Sequence, residues 1–266
     1  MNTTTTTTAA NGTRHPVASR DDWLAQRKAL LAREKALTHL RDQLAAERRA
    51  LPWARLDKTY SFDTPTGRRT LAELFAGRRQ LMVQHFMLGP GWEQGCKSCS
   101  FMADHLVGAQ VHLAQRDLSV VLVSRAPLAE IERFRQRMGW DFDWVSSHGS
   151  DFNLDFHVSF PAETRVGREV DYNYGRVEFP QDEAPGISFF CKDDAGDVFH
   201  TYSTYGRGVE VMMGTYHLLD LAPRGRGEDG DAHGMQWVRH HDRYETAATP
   251  APAVPAAAES CCAARA

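Results

Sequence analysis

Two different spacings of apolar residues divide the chain. Between Ser19 and Pro52 the spacing is helical: Trp23, Leu30, Leu37, Leu44 and Leu51 repeat every seven residues. Leu24, Leu31 and Leu40 widen this stripe, and Arg, Lys and Glu fill the other faces. Ser19, followed three positions later by Asp22, resembles a capping box, and Pro52 stops the helix. Such a stripe predicts an amphipathic helix packed on the body of the protein, or the seam of a dimer-forming coiled coil. The small number of heptads favours the packed helix.

Beyond Pro52 the runs are short. Leu81 to Met87 reads as a buried strand. Cys99, Met102, Ala103, Leu106, Ala109 and Leu113 predict a helix over about 98–115. Leu118 to Val123 is Val-rich and continuous, as in a buried parallel strand. Pro127 opens a further helix with Leu128, Ile131, Phe134 and Met138 on one face, and Gly139 closes it. This βαβα alternation predicts a parallel sheet flanked by helices, with its site outside the carboxyl ends of the strands.

Smaller elements surround that unit. Tyr60 to Phe62 and Phe142 to Val145 read as short strands, and Thr70 to Phe75 as a short helix. Phe152, Phe156, Val158 and Phe160 form a short aromatic element, and 161–184 a polar surface excursion. Ile187 to Cys191 and Val198 to Tyr205 predict a hairpin about Asp194-Ala195-Gly196. Gly208 to Leu221 reads as helix. The expected domains are a disordered 1–18, a helical extension over 19–52, a main domain over 53–244, and an Ala/Pro-rich tail over 245–266.

Composition narrows the function classes. A 266-residue chain with 42% apolar residues can build a core, and a net charge of -3 does not favour nucleic acid or an anionic membrane surface. No apolar run is long enough to cross a bilayer, and the Thr-rich start lacks a secretory h-region, so a cytoplasmic protein is expected. Five cysteines are too few for a disulfide scaffold.

The chemistry then falls on Gly95-Cys96-Lys97-Ser98-Cys99. Two cysteines three apart lie on one face of a first helical turn. The free N–H groups there favour a thiolate at Cys96, and Lys97 adds a nearby cation. Cys96 is therefore the candidate nucleophile. Cys99, on the apolar stripe, is the candidate resolving thiol. Redox chemistry, metal binding and a silent dithiol all remain possible for this spacing. Trp92 lies in the same loop as a possible groove wall. Arg125 ends the next strand and could stabilise a thiolate, although an arginine there is commonly paired with a carboxylate. His85, on the strand feeding the loop, could accept a proton or bind copper. Pro185 stands before the hairpin, as turn prolines do. Cys191 reads as a buried hydrophobe, and His240-His241-Asp242 as neighbours that point apart rather than a metal site. Cys261-Cys262 in the tail could shuttle electrons to the first pair, or join it in a composite zinc or copper(I) site.

The order strand, Cys-x-x-Cys, helix, strand, helix, proline, hairpin, helix resembles the thioredoxin fold. Phe86 to Cys99 (FMLGPGWEQGCKSC), Val123 to Pro127 (VSRAP), Met138-Gly139-Trp140, Gly149 to Asn153 (GSDFN), Phe199 to Tyr205 (FHTYSTY) and Trp237 to Asp242 (WVRHHD) sharpen the match. They resemble a bacterial family of thioredoxin-like proteins catalogued as domain of unknown function 899, over roughly residues 19–244. The resemblance implies an α/β thioredoxin-like fold, a central mixed sheet flanked by helices, with a long N-terminal amphipathic helix. It also implies that Pro185 is cis and sits against the dithiol. Gln84 occupies the place of the buried Asp that thioredoxins carry. Pro90 stands six residues before Cys96 with no Thr or Ser between, unlike the peroxiredoxin loop, while the stretch from Val123 to Val158 is laid out much as in peroxiredoxins.

The sequence thus points to a thiol-disulfide oxidoreductase or thiol peroxidase acting through Cys96 and Cys99. The alternative is a copper(I)- or zinc-binding protein of the same fold. The expected partners are a protein or low-molecular-weight thiol, disulfide or peroxide, with a second copy through the N-terminal helix as a further candidate. No resident cofactor, nucleic acid or membrane is expected.

Overall fold

The computed structural model describes residues 5–8, 14–160, 169–230 and 234–245. Its centre is an eight-stranded mixed sheet. In chain order the strands are β1 (Ala54–Arg55), β2 (Ser61–Thr64), β3 (Gly67–Thr70), β4 (Gln80–His85), β5 (Leu118–Ser124), β6 (Trp144–Ser146), β7 (Gly186–Lys192) and β8 (Val198–Tyr205). Across the sheet the order is β1-β8-β7-β4-β5-β6-β2-β3. β4, β5 and β6 run parallel, while β7 pairs antiparallel with both β4 and β8. A parallel β-α-β unit beside an antiparallel hairpin, in the order β8-β7-β4-β5, is the thioredoxin-like arrangement that the motif order implies.

The sheet separates two cores. In β4, Met82 and Gln84 face one side, whereas Leu81, Val83 and His85 face the other, as the period of two requires. On the first side Met82, Phe86, Cys99, Met102, Phe134 and Trp144 pack together. On the second, Phe62, Phe75, Leu81, Val123, Phe152 and Phe190 do.

The helices are α1 (Arg20–Ala50), α2 (Lys97–Asp104), α3 (Ala109–Ala114), α4 (Leu128–Arg137), α5 (Phe152–Asp155) and α6 (Gly214–Leu219). α1 begins at the expected cap: Ser19 Oγ accepts from the Asp22 amide at 3.1 Å. It does not pack on the body as expected, for none of its residues is buried. Trp23, Leu30, Leu37 and Leu44 stay exposed along it, and near its end Arg48 lies over the Tyr202 ring.

The helix expected over 98–115 is two. Gly108 takes φ +80° between α2 and α3, and His105 turns its Nδ1 to the Phe101 carbonyl at the end of α2. Beyond the break the stripe weakens: Leu106 is buried, whereas in α3 Leu113 is only partly buried against the same core. The stretch 206–219 is likewise divided, into a 3-10 segment, Gly206–Met212, and α6. Within the expected excursion, Glu169–Tyr172 and Gly175–Glu178 form an antiparallel ribbon. Thr5–Thr8 pairs with Arg14–Val17 inside the stretch expected to lack structure. Among the described residues no helix is long and apolar enough to cross a membrane.

Candidate active site

Cys96 is the N-cap residue of α2, in the turn that follows β4. Three local features hold it there. Its amide donates to the Met87 carbonyl at 3.0 Å. Its carbonyl accepts from the Ser100 amide at 2.9 Å and from the Ser100 hydroxyl at 2.9 Å. Gly95, just before it, passes between two rings: a Cβ there would stand 2.5 Å from Phe86 and 2.8 Å from Phe134. The sequence therefore needs glycine at 95 for packing.

The thiols are free and unequal. Cys96 is half-buried, and Cys99 is fully buried on the first core. A hydrogen bond from the Cys99 thiol, with further ones from the Ser98 and Cys99 amides and the Ser98 hydroxyl, pushes the Cys96 thiol down to about 6. Burial, and the neighbouring Cys96 thiolate, push Cys99 well up. Cys96 is thus the thiolate of the pair and Cys99 the proton holder.

The supporting residues lie in several places. Lys97 reaches away to the Gln236 carbonyl at 3.3 Å, so it is the amides and the Cys99 thiol, rather than this ammonium, that depress Cys96. Trp92 is half-buried and folds back on its own loop; a Cβ on Gly89 would lie 3.0 Å from its Nε1. Arg125 is paired with Glu183 at 2.6 Å, and Glu183 is only 1% exposed, which is the structural pairing common for such arginines.

His85 does not accompany the dithiol. It lies on the opposite face of the sheet, stacked on Phe152 and Phe156, where burial pushes it down to about 3. Its Nε2 meets Ser188 Oγ at 2.7 Å; Ser188 meets Ser203 at 2.7 Å, and Ser203 meets His200 Nε2 at 2.7 Å. A role as proton acceptor or copper ligand at Cys96 is excluded by the side of the sheet it occupies. Pro185 is half-buried, and its carbonyl accepts from Tyr172 Oη at 2.7 Å. Its peptide bond is trans, as all peptide bonds of the described residues are, which corrects the cis expectation. Here Ala184 is already tied to Val158 and Gly186 to His85, so the chain enters β7 extended.

Gln84 fills the position beneath the dithiol. It is fully buried, its Nε2 donates to the Cys99 carbonyl at 3.2 Å, and its Oε1 has no partner. A carboxamide in this place cannot exchange a proton with Cys99.

Residues far along the chain complete the site. His240 Nε2 donates to the Gly95 carbonyl at 2.9 Å, while its Nδ1 faces Arg137 Nη2 at 3.4 Å. Two bonds of 2.9 Å tie Arg137 to Asp242, and a third of 3.1 Å reaches Gln94 Oε1. His241 meets Asp104 at 2.7 Å. The segment 236–242 is thus a strap across the dithiol loop. Its histidines act through hydrogen bonds to the fold. Among the described residues no group of three or more His, Cys, Asp or Glu is arranged to hold a metal ion. Cys261 and Cys262 lie outside the described residues.

Comparison with known proteins follows this geometry. The peroxidoxin BcpB of Mycobacterium tuberculosis is 14% identical over 61% of this chain and 96% of its own, with a TM-score of 0.37. The PrxQ protein of Xylella fastidiosa is 10% identical over 62% and 94%, with a TM-score of 0.39. A putative thiol:disulfide interchange protein DsbE of Chlorobium tepidum is 12% identical over 62% and 97%, with a TM-score of 0.38. None of the curated proteins matches the chain. Residues 12–244 match the model of a single family, and the chain belongs to it: the bacterial proteins of unknown function grouped as DUF899.

Proposed function

We propose that Cys96 and Cys99 form a redox-active dithiol that reduces a disulfide or a peroxide. The observation that carries this reading is the division of labour between the thiols: one depressed at a helix N-terminus, one buried and raised. With a disulfide, the Cys96 thiolate attacks one sulfur and expels the other as a thiolate. Cys99, on losing its proton, attacks Cys96 Sγ, releases the substrate thiolate and leaves a Cys96–Cys99 disulfide. With a peroxide, Cys96 attacks oxygen and expels the alcohol or water, becoming a sulfenic acid. Cys99 then condenses with it, losing water. Either route moves two electrons from the dithiol to substrate.

A redox titration with mass-spectrometric thiol trapping, with and without peroxide, tests this. The expected product is a reversible Cys96–Cys99 disulfide, and the Cys96→Ser variant should consume neither substrate. Turnover surviving in that variant would refute the proposal. The rival reading, a copper(I) or zinc carrier, is favoured by no observation beyond the two thiols.

We also infer that α1 is a self-association element. Its unburied stripe repeats every seven residues, the period of a left-handed two-stranded seam, over a helix about 46 Å long.

A further inference from the structure

On the face of the sheet opposite the dithiol lies a cavity of about 510 Å³. Tyr60, Phe156, Tyr172, Tyr174, Tyr205 and His200 line it. The rings are in mutual edge contact: Tyr60 with Phe156, Phe156 with His200, Tyr172 with Tyr205, and Tyr174 with Tyr205, at centroid separations of 5.2–6.3 Å. We propose that this cavity is a recognition site for a small organic cation, an alkylammonium or trimethylammonium group.

Four observations lead to that class. First, every phenol hydroxyl lining the cavity is already engaged. Tyr60 donates to Asp155, Tyr172 to the Pro185 carbonyl, Tyr174 to the Ser203 carbonyl and Tyr205 to the Phe156 carbonyl, at 2.7–3.2 Å. What the tyrosines offer a ligand is therefore ring surface. Ring faces carry negative charge density and attract cations.

Second, the lining carries acidic side chains. Asp155 and Asp171 both line the cavity. Lys58 shares Asp155 with Tyr60, and the one lining guanidinium, Arg176, leans to Glu169 at 3.5 Å.

Third, one of the two lining imidazoles, that of His200, is uncharged. His200 Nε2 ends the hydrogen-bonded chain through Ser203 and Ser188 to His85. Three bonds need three protons. Two come from the serines and one from His85 Nε2–H, whose buried Nδ1 has no partner and is best left bare. His200 Nε2 then accepts. Burial also holds His200 below its ordinary range, so it does not repel a cation.

Fourth, three of the lining residues have left-handed backbones: His157 at φ 53°, Asn173 at 53° and Tyr174 at 63°. Asn173 and Tyr174 are the two-residue turn of the Glu169–Glu178 ribbon, where glycine is the favoured second residue. A tyrosine there costs conformational energy, yet its ring, 79% exposed, stands at the rim over Tyr205.

Titration of the full-length protein with choline chloride by calorimetry tests the site. Its neutral isostere 3,3-dimethylbutan-1-ol is titrated in parallel. Choline should saturate one site, with the alcohol roughly tenfold weaker or more. Tyr174→Gly relieves the turn, so it should unfold at the same or a higher temperature while weakening choline at least about fivefold. Asp171→Asn should weaken it as well. Equal binding of the neutral isostere, absence of saturation by roughly 50 mM choline, or unaltered affinity in Tyr174→Gly would each overturn the proposal.

Discussion

His240 Nε2 holds the carbonyl of Gly95 at 2.9 Å, across 145 positions of sequence. That carbonyl belongs to the peptide unit whose N–H, on Cys96, is held by Met87. Both ends of the peptide unit between Gly95 and Cys96 are thus fixed. His240→Leu leaves a buried carbonyl unpaired and should cost about 1–3 kcal/mol in denaturant unfolding. It should also move the pH midpoint of Cys96 alkylation upward. His240→Gln, which returns an N–H donor, should recover part of both. A midpoint unmoved in His240→Leu would reduce the strap to a purely structural role.

The thiol pair makes the reduced protein's stability depend on pH in two directions. Cys96 is depressed to about 6 in the folded state against an ordinary 9.0. Its contribution is complete above about 9 and is lost as pH falls through about 6. Cys99 is raised, so its contribution is complete below about 9 and is lost as pH climbs towards its folded value. Urea midpoints should therefore rise between pH 6 and 9 and fall beyond. Cys96→Ser should remove the rising limb, which a series of buffered unfolding curves would detect.

Arg125 and Glu183 offer a control on the site. Glu183 is buried against Arg125 and Ser159, and its carboxyl is raised by burial. Arg125→Ala leaves that carboxylate without its cation, which should destabilise by about 3 kcal/mol. The alkylation profile of Cys96 should not move, because the guanidinium is committed to Glu183. A shifted profile would restore Arg125 to the reaction.

The stripe of α1 gives a hydrodynamic expectation. Sedimentation should show a dimer that Leu30→Glu with Leu37→Glu converts to monomer. Both side chains are exposed at close to half their surface, so the monomer should unfold without loss of its main cooperative transition. A wild-type monomer at micromolar concentration would eliminate the association.

The parts of this architecture that were legible in the sequence are local. Leu118 to Val123 and the Ile187 to Tyr205 hairpin announce themselves by apolar runs and turn residues, and Cys96 and Cys99 are three residues apart. The strap was not legible as a clamp. Arg137 meets Asp242 across 105 positions, and no periodicity encodes such a pairing. The stretch from Trp237 to Asp242 carried part of the family resemblance, yet its histidines read only as a discarded metal site. Gly108 was visible inside the 98–115 pattern, but side-chain spacing alone does not report a left-handed backbone. For α1 the periodicity gave the helix correctly and its partner wrongly, because a stripe specifies that something covers it and not what.

The strap also orders events in time. A chain emerging from the ribosome presents Cys96 and Cys99 long before residues 236–242 exist. The strand and α2 can form around them, but Gly95 has no clamp until His240 arrives. The surroundings of Cys96 are therefore complete only once residue 242 has been made, and a product broken off before that point carries the cysteines without the setting that tunes them.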